Sequence, residues 1–224
     1  MGLLTGKKAF ITGAEQGIGK ESARKLIEAG CDIYIHYFSG EEGPRELIAL
    51  AEQQGCRASC GFADLTDEED AARCVAQAAE FLGGIDILVN NVGGIIARKW
   101  LGEIEPHFWR TVIDVNMTTM LNVTQQALPW LKAAPDGASI VNLASLAGRS
   151  GGHAGSLVYS TTKGAVLTWT RSLAAELGEH GIRVNAVAPG LILGTRFHNQ
   201  HTPQASADQT IQAIPLGRAG TPED

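Results

Sequence analysis

Short runs of mostly apolar residues recur along the chain and predict six β-strands. The runs are KKAFIT (7–12), DIYIHY (32–37), RASCGF (57–62), IDILVN (85–90), ASIVNL (138–143) and IRVNAV (182–187). Strands that are apolar on both faces are typical of a parallel sheet with helices on either side. The pattern therefore predicts strands that are buried on both faces.

Amphipathic helical patterns lie between these runs and begin near six positions: Gly17, Glu41, Asp67, Pro106, Met117 and Leu157. Alternating strands and helices indicate parallel βαβ units, whose crossovers are right-handed. We therefore predict an α/β fold with a single doubly wound parallel β-sheet of the Rossmann type and helices on both faces. No repeat or low-complexity linker divides the sequence, so residues 1–224 are expected to form one domain.

Composition excludes several classes of protein. Of the 224 residues, 44% are hydrophobic and 19% are charged, which is ordinary for a globular chain. The net charge is -6 and the basic residues are scattered, which argues against a nucleic-acid partner. No signal peptide precedes the first strand and no apolar run approaches ~20 residues, so we expect a cytoplasmic protein without a membrane partner.

Neither the cysteines nor the other potential ligands predict a metal site. Cys31, Cys56, Cys60 and Cys74 show no C-x-x-C spacing, which favours buried free thiols over zinc ligands or disulfides. The His, Asp and Glu residues also lack the spacing of a metal site.

A glycine-rich turn, TGAEQGIG, follows the first predicted strand and opens the first helix. Gly13, Gly17 and Gly19 permit a tight turn whose amides can approach a pyrophosphate, beside the positive end of the helix dipole. Glycine turns also serve simple strand–helix packing, but the position of this one favours dinucleotide binding. Gln16 and Ile18 are the other predicted contacts within it.

The residues after the second strand decide which dinucleotide is preferred. A carboxylate there would favour NAD, whereas an arginine would favour the 2′-phosphate of NADP. The positions hold Tyr37, Phe38 and Ser39, with neither type of residue. Ser39 and loop amides could bind a phosphate, although Glu41 and Glu42 follow closely and would repel one. The absent carboxylate leads us to predict NADP(H) over NAD(H).

Tyr159 and Lys163 are four residues apart in LVYSTTKGAV, a stretch with a helical pattern. The spacing places both side chains on one face of a helix, one turn apart. An ordinary exposed pair would look the same, so the spacing by itself leaves both interpretations open.

Taken together, four motifs give the chain its resemblance to a known family. These are TGAEQGIG, NNVG (90–93), the serine-rich end of the fifth strand and YSTTK (159–163). In this order and spacing they resemble the classical short-chain dehydrogenases/reductases, from about residue 5 to the end of the sequence. RVNAVAPG and LGRAGTPED are similar to the 3-oxoacyl-carrier-protein reductase branch and the sugar or polyol dehydrogenase branch.

The resemblance implies an oxidoreductase that interconverts a ketone and a secondary alcohol with NAD(P)(H). Tyr159 would be the general acid or base, and Lys163 would bind the nicotinamide ribose and lower the tyrosine pKa. Ser145 would hold the substrate oxygen, and Asn116 would hold a water in a proton relay behind the lysine. Seen singly, Ser145 could be a strand-end cap, Asn116 a turn former and Lys163 a solvated charge.

The resemblance also assigns contacts with the cofactor. They comprise Asp64, Leu65, Asn91, Val92, Gly93, Pro189, Gly190 and Ile192, together with Tyr159 and Lys163. Alternatively, the segment DLTDEED that contains Asp64 and Leu65 could be a helix N-terminal cap, and both roles are compatible. Val92 is bulkier than the alanine usual in the family. Thr195 lies one residue later than the family spacing.

The segment after Gly190 is expected to be a substrate loop. It carries Arg196, His198 and His201, and His153 lies near the pocket lip in the family frame. Arg196 could pair with an acidic substrate group or remain a surface cation.

The resemblance further implies a homo-oligomer, either a tetramer or a dimer, paired through the helices in 106–133 and 157–178. The apolar side chains of Val166, Leu167 and Trp169 exceed what one inward-facing stripe requires.

Family members continue beyond GTPED through a helix and a final strand. We therefore expect a shortened version of a longer chain, which intact mass would test. The alternative function is a dinucleotide-binding sensor or scaffold of the same fold without useful catalysis.

Overall fold

A computed structural model, which describes residues 2–224 apart from the side chains of Phe197, His198 and Gln200, contains one six-stranded parallel sheet. The strands are β1 (Lys8–Ile11), β2 (Asp32–Tyr37), β3 (Ala58–Phe62), β4 (Ile87–Asn90), β5 (Ala138–Leu143) and β6 (Ile182–Val187). They lie in the order β3-β2-β1-β4-β5-β6. The predicted doubly wound sheet is confirmed, because this order grows outwards in both directions from the middle.

The helices follow the predicted alternation. They are α1 (Gly17–Glu28), α2 (Glu42–Gln54), α3 (Glu68–Leu82), α4 (Pro106–Ile113), α5 (Thr119–Lys132), α6 (Ala147–Ser150), α7 (Leu157–Leu177), α8 (Arg196–His201) and α9 (Gln204–Gln212). A π-helical turn, Asp114–Thr118, joins α4 to α5, so the two helices predicted from Pro106 and Met117 are continuous.

Local sequence signals explain several helix ends. Asp67 caps α3 by accepting a hydrogen bond from the Asp70 N–H, and Pro106 occupies the first turn of α4, where it costs no hydrogen bond. Gly55 and Gly83 end α2 and α3 in the left-handed conformation, which glycine adopts without steric cost.

Helices cover the sheet on both faces and build two apolar layers. On one face α1 and α2 pack against β1 and β2; Ile27 and Leu47 are fully buried there. On the other face α3, α5 and α7 pack against the sheet, with Leu82 and Leu131 fully buried. Each such side chain contributes roughly 1.5–3 kcal/mol through removal from water. These two layers fix where the strand ends lie.

The strand order reverses between β1 and β4. The chain leaves β1 towards β2 and leaves β4 towards β5, so the loops after these two neighbouring strands separate and open a crevice. Ligands of doubly wound sheets bind at such a point, outside the carboxyl ends of the strands.

The cysteines are free, as predicted, but only Cys31 and Cys74 are buried. Burial raises the pKa of both thiols to about 12. Cys56 and Cys60 are partly exposed because they lie near the edge of the sheet. None of the helices within residues 2–224 is long and apolar enough to cross a bilayer.

The apolar side chains of α7 pack mainly inside the chain. Val166 is buried against Met120 and Ala144, and Leu167 and Trp169 pack against the same cluster. The surplus of apolar residues that the sequence indicated on this helix is therefore largely used within the monomer.

Candidate active-site cleft

A cavity of about 710 Å³ opens at the carboxyl ends of the strands, where the strand order reverses. Most of the predicted site residues line it: Gly13, Gln16, Gly17, Ile18, Gly19, Phe38, Asp64, Leu65, Asn91, Val92, Gly93, Ser145, Tyr159, Lys163, Pro189, Gly190 and Ile192. Tyr37, Ser39 and Asn116 lie outside this lining. The structure thus brings together residues from all parts of the sequence at one edge of the sheet.

The glycine turn is held against the end of β4. Gly13 and Gly17 have φ values of 61° and 55°, which a residue with a side chain adopts only with strain. The Asn91 side chain donates to the carbonyl oxygens of Thr12 and Gly13 at 3.0 and 2.7 Å. The N-cap residue of α1, Gln16, makes no side-chain capping bond, so it does not cover the amides at this helix end. The turn therefore presents main-chain donors to the cavity.

Charged side chains from distant parts of the sequence, Glu15 and Arg196, lie beside the end of β2. The Ser39 hydroxyl donates to Glu15 Oε1 at 3.0 Å, and Arg196 Nη1 lies 3.5 Å from Ser39 Oγ. Glu41, which was expected to oppose a phosphate, is paired with Arg45 at 2.6 Å. Of the two interpretations left open for Arg196, a partner for an acidic substrate group or a surface cation, the structure agrees with an exposed cation, which α8 places beside the end of β2.

Aromatic residues form the outer wall beyond β2 and β3. Phe38 stacks on Phe62 with ring centroids 5.7 Å apart, and the Tyr37 ring meets the edge of Phe62 at 6.1 Å. Tyr37 therefore supports this wall rather than lining the cavity. Asp64 accepts from the Thr66 amide and hydroxyl at 3.0 and 2.6 Å, so it stabilises its own turn. The helix cap that the alternative interpretation placed in this segment is made by Asp67.

Tyr159 and Lys163 share one face of α7 and point into the cleft. Lys163 is 4% exposed; its Nζ donates to the Leu143 carbonyl at 2.6 Å and lies 5.8 Å from the centroid of the Tyr159 ring. Burial lowers the pKa of Lys163 to about 8, because the charged ammonium loses its hydration. The interpretation of this residue as a solvated charge is wrong.

Burial also raises the pKa of Tyr159, whereas a hydrogen bond with the Ser145 side chain opposes that shift. The sequence led us to expect a lowered pKa through the charge on Lys163. The pKa is raised instead, because the loss of hydration of the charged phenolate is the largest effect on it. The phenol is therefore protonated at neutral pH.

Ser145 lies two residues beyond the end of β5, and its side chain is hydrogen-bonded to Tyr159 in the first turn of α7. Its Oγ accepts a hydrogen bond from the Ala147 amide at 3.2 Å, so the residue also caps the strand end. The short helix α6 and the loop that follows it occupy the interval between Ser145 and Tyr159.

Asn116 lies in the π-helical turn and stands behind the cavity wall. Its Nδ2 donates to the carbonyls of Gly94 and Val112 at 2.8 and 2.9 Å, and its Oδ1 accepts from the Gly94 amide at 3.1 Å. Asn116 thus fastens the loop after β4 to the helix. Irregular π turns of this kind are frequent at functional sites.

The residues of the cleft that were not predicted include Glu15, His36 and Arg98. From the sequence, His36 was treated only as part of the second apolar run. A histidine within an apolar run could have indicated a buried polar residue with a specific partner. Glu15 lies inside the glycine motif, where only the glycines, Gln16 and Ile18 were interpreted. Arg98 donates to the carbonyls of His201 and Ala154 at 3.0 and 3.1 Å, a role without any local sequence signal.

The predicted substrate loop approaches the cleft through several residues. Thr195 and Arg196 line the cavity, as does His153 from the other side. The side chain of His198 lies outside the described part of the chain. Across the side chains that the structure does describe, no group of three or more His, Cys, Asp or Glu residues could hold a metal ion.

Known proteins resemble this chain in both sequence and fold. A family model described as short chain dehydrogenase matches residues 7–206. The 3-oxoacyl-(acyl-carrier-protein) reductase FabG of Aquifex aeolicus (strain VF5) is 36% identical over 223 residues, covering 99% of this chain and 87% of the relative. The oxidoreductase UcpA of Escherichia coli (strain K12) is 35% identical over 231 residues, covering 99% and 85%.

Solved structures agree with this assignment. A short chain dehydrogenase from Burkholderia cenocepacia J2315 in complex with NADP has a TM-score of 0.90 and 32% identity, covering 99% of this chain and 87% of that one. The NADH-dependent reductase A1-R' complexed with NAD has a TM-score of 0.85 and 29% identity, covering 98% and 85%. With the family model matching most of its length, this chain belongs to the short-chain dehydrogenases, oxidoreductases that work with nicotinamide dinucleotides.

Proposed function

We propose that the protein interconverts a ketone and a secondary alcohol by hydride transfer with NAD(P)(H), and that Tyr159 is its general acid and base. The observation that carries this proposal is the convergence of Tyr159, Ser145 and Lys163 in the cavity that the glycine turn also lines. The cleft supplies main-chain donors for a diphosphate at one end and a protonated phenol at the other. Two relatives support the same reaction class, since one is named a reductase and the other an oxidoreductase.

The cofactor, when bound, supplies or accepts the hydride. In the reductive direction the carbonyl carbon gains this hydride and its oxygen takes a proton from the Tyr159 hydroxyl, which gives the alcohol. The pKa of Tyr159 is raised, so the phenol holds the proton to be transferred at neutral pH. Ser145, hydrogen-bonded to Tyr159, would orient the substrate oxygen beside the phenol.

Lys163 would act through its position on the floor of the cleft. Its Nζ uses one hydrogen for the Leu143 carbonyl, which leaves two for other acceptors such as ribose hydroxyls. Asn116 holds Gly94 and thereby shapes the wall next to Lys163. We propose Asn116 as a positioning residue, with the relay through a water as its predicted further role.

The test is turnover of a panel of ketones and secondary alcohols, including 3-oxoacyl thioesters and keto sugars, with both cofactors. Tyr159→Phe should lower kcat by about 10²–10⁴-fold while the cofactor still binds, because only the transferable proton is lost. Tyr34→Phe is the matched control, since its hydroxyl contacts Gln77 away from the cavity. Full turnover by Tyr159→Phe would defeat the mechanism. Cofactor binding without turnover on any substrate would favour the sensor or scaffold.

For the cofactor we propose NADP(H) over NAD(H). Arg196 beside Ser39 supports this preference, because its guanidinium could pair with a 2′-phosphate. The Glu15 carboxylate, also bonded to Ser39, opposes it by repulsion. Fluorescence titrations should give tighter binding of NADPH than NADH. Arg196→Gln should narrow that difference and Glu15→Gln should widen it; tighter binding of NADH to the unaltered protein would overturn the proposal.

We also propose that the protein forms a homo-oligomer, a dimer or a tetramer. The exposed apolar side chains of Trp109, Leu121 and Trp130 on α4 and α5 support this, since exposed aromatic groups favour association. Cytoplasmic localisation stays a prediction from the sequence, and cell fractionation would test it.

A further inference from the structure

His36 lies within β2 and is 1% exposed, yet its ring lines the cleft. Its Nδ1 accepts a hydrogen bond from the Gly13 amide at 3.0 Å, and its Nε2 lies 3.0 Å from the Ala63 carbonyl oxygen. Because Nδ1 is an acceptor, Nε2 must carry the ring hydrogen and donate it to Ala63. The geometry therefore specifies one neutral tautomer of the imidazole.

The same residue holds two consecutive amides of the glycine turn. The ring accepts from Gly13, and the main-chain carbonyl of His36 accepts from the Ala14 amide at 3.0 Å. On its other side Gly13 is held through its carbonyl by Asn91. The ring also connects the turn to the end of β3, where Asp64 and Leu65 line the cavity.

We propose that His36 is a positioning residue for the cofactor: as a neutral imidazole it fixes the glycine turn, and its protonation releases the Gly13 amide and weakens dinucleotide binding. A protonated ring has two donors and no acceptor, so its Nδ1–H would face the Gly13 N–H. Neither group can turn to water, because the ring is buried. The Gly13 N–H would then lack an acceptor, a costly arrangement in a protein interior.

The surroundings of the ring favour its neutral form. The charged groups that face it are Glu15 from the glycine turn and Asp64 after β3, and both favour protonation. Burial outweighs them, so the pKa of His36 lies below its ordinary value of 6.5. Cofactor affinity should therefore be full at neutral pH and fall as the pH drops through this lowered value.

The test is the pH dependence of NAD⁺ binding, followed by quenching of tryptophan fluorescence between about pH 5 and about pH 7.5. NAD⁺ is chosen because its diphosphate stays ionised over this range. His36→Asn offers an uncharged acceptor to Gly13 and should bind at neutral pH within about threefold of the unaltered protein, with a flatter profile. His36→Leu removes the acceptor and should weaken binding roughly tenfold at every pH. His180→Asn, at an exposed histidine, is the control and should keep the original profile.

Two results would overturn the proposal: equal acid-side loss of affinity in His36→Asn and the unaltered protein, or unweakened binding by His36→Leu. If His36→Leu does not fold, the comparison with His36→Asn still decides. A purely structural role would lower the unfolding temperature of the variants without changing the pH profile of binding. The readout is binding alone, so its failure is distinguishable from failure of the mechanism proposed for Tyr159.

Discussion

At the scale of single residues, Lys163 has the most unusual environment in the cleft. It holds its charge on a side chain that is almost fully buried, and desolvation brings its pKa down to about 8. This side chain is therefore closer to losing its proton at neutral pH than an ordinary lysine. Two predictions follow from its burial, one on catalysis and one on stability.

The first concerns the alkaline side of the pH profile. Because neutral Lys163 is a weaker donor, kcat/KM for the cofactor should fall as the pH rises through about 8. This parameter reports the ionisation of the free enzyme. Initial rates measured from about pH 6 to about pH 10 provide the measurement. A profile that stays level across this range would contradict the assignment.

The second concerns the free energy of unfolding. The pKa of Lys163 is lower in the folded than in the unfolded chain, so its charge destabilises the fold below about pH 8 and less so as the pH rises towards 10.5. Lys163→Met should raise the free energy of unfolding at neutral pH by about 1–3 kcal/mol, although the Leu143 carbonyl loses its donor. The same change should abolish turnover, as substitutions that relieve an active-site strain often do.

Thermal or denaturant unfolding measures this effect, and Lys132→Met is the matched control because Lys132 is exposed. The control should leave stability unchanged to within about 0.5 kcal/mol. A Lys163→Met protein less stable than the original would show that the lysine is net stabilising.

At the scale of elements, the loop after β4 forms a tight junction in the site. A Cβ on Gly93 would lie 2.8 Å from Asn116 Oδ1 and 2.9 Å from Lys163 Nζ. Strand β4, the π turn and α7 meet here, so only glycine lets the two functional side chains approach the backbone. The following residue, Gly94, has open space at the same position.

Gly93→Ala should therefore displace Lys163 and lower kcat/KM by about tenfold or more, since small misplacements of catalytic groups are costly. Gly94→Ala should leave activity nearly unchanged, because its Cβ meets no atom within 4 Å. Steady-state kinetics on the two variants makes the comparison. Equal activities would mean that the junction can relax without cost.

At the scale of the whole molecule, α4 and α5 expose two tryptophans that the monomer does not use. Trp109 and Trp130 are 43% and 42% exposed. Light scattering should give at least twice the monomer mass of 23.7 kDa, and Trp109→Glu combined with Trp130→Glu should reduce it. Trp100→Glu, on an exposed residue before α4, should change nothing. A monomeric mass for the unaltered protein would refute the oligomer.

The architecture was accessible from the sequence because its signals are local. Each apolar run corresponds to a strand whose ends lie within two residues of the predicted ones, and the alternation with helices leaves few topologies. The π turn between α4 and α5 was not predicted from the sequence. One wider turn within a helix leaves the spacing of its apolar residues almost unchanged. α8 and α9 were likewise treated as one loop, because short helices with weak apolar faces resemble loops in sequence.

The sequence by itself determined the parallel sheet, the glycine turn and the shared face of Tyr159 and Lys163. Each of these depends on periodicity or spacing within a few neighbouring residues. Only the tertiary structure decided that Arg196 meets Ser39 across 157 residues of sequence, that His36 bridges Gly13 and Ala63, and that the pKa of Tyr159 is raised. Contacts between distant segments and loss of hydration arise only when the elements pack, and no local pattern encodes them.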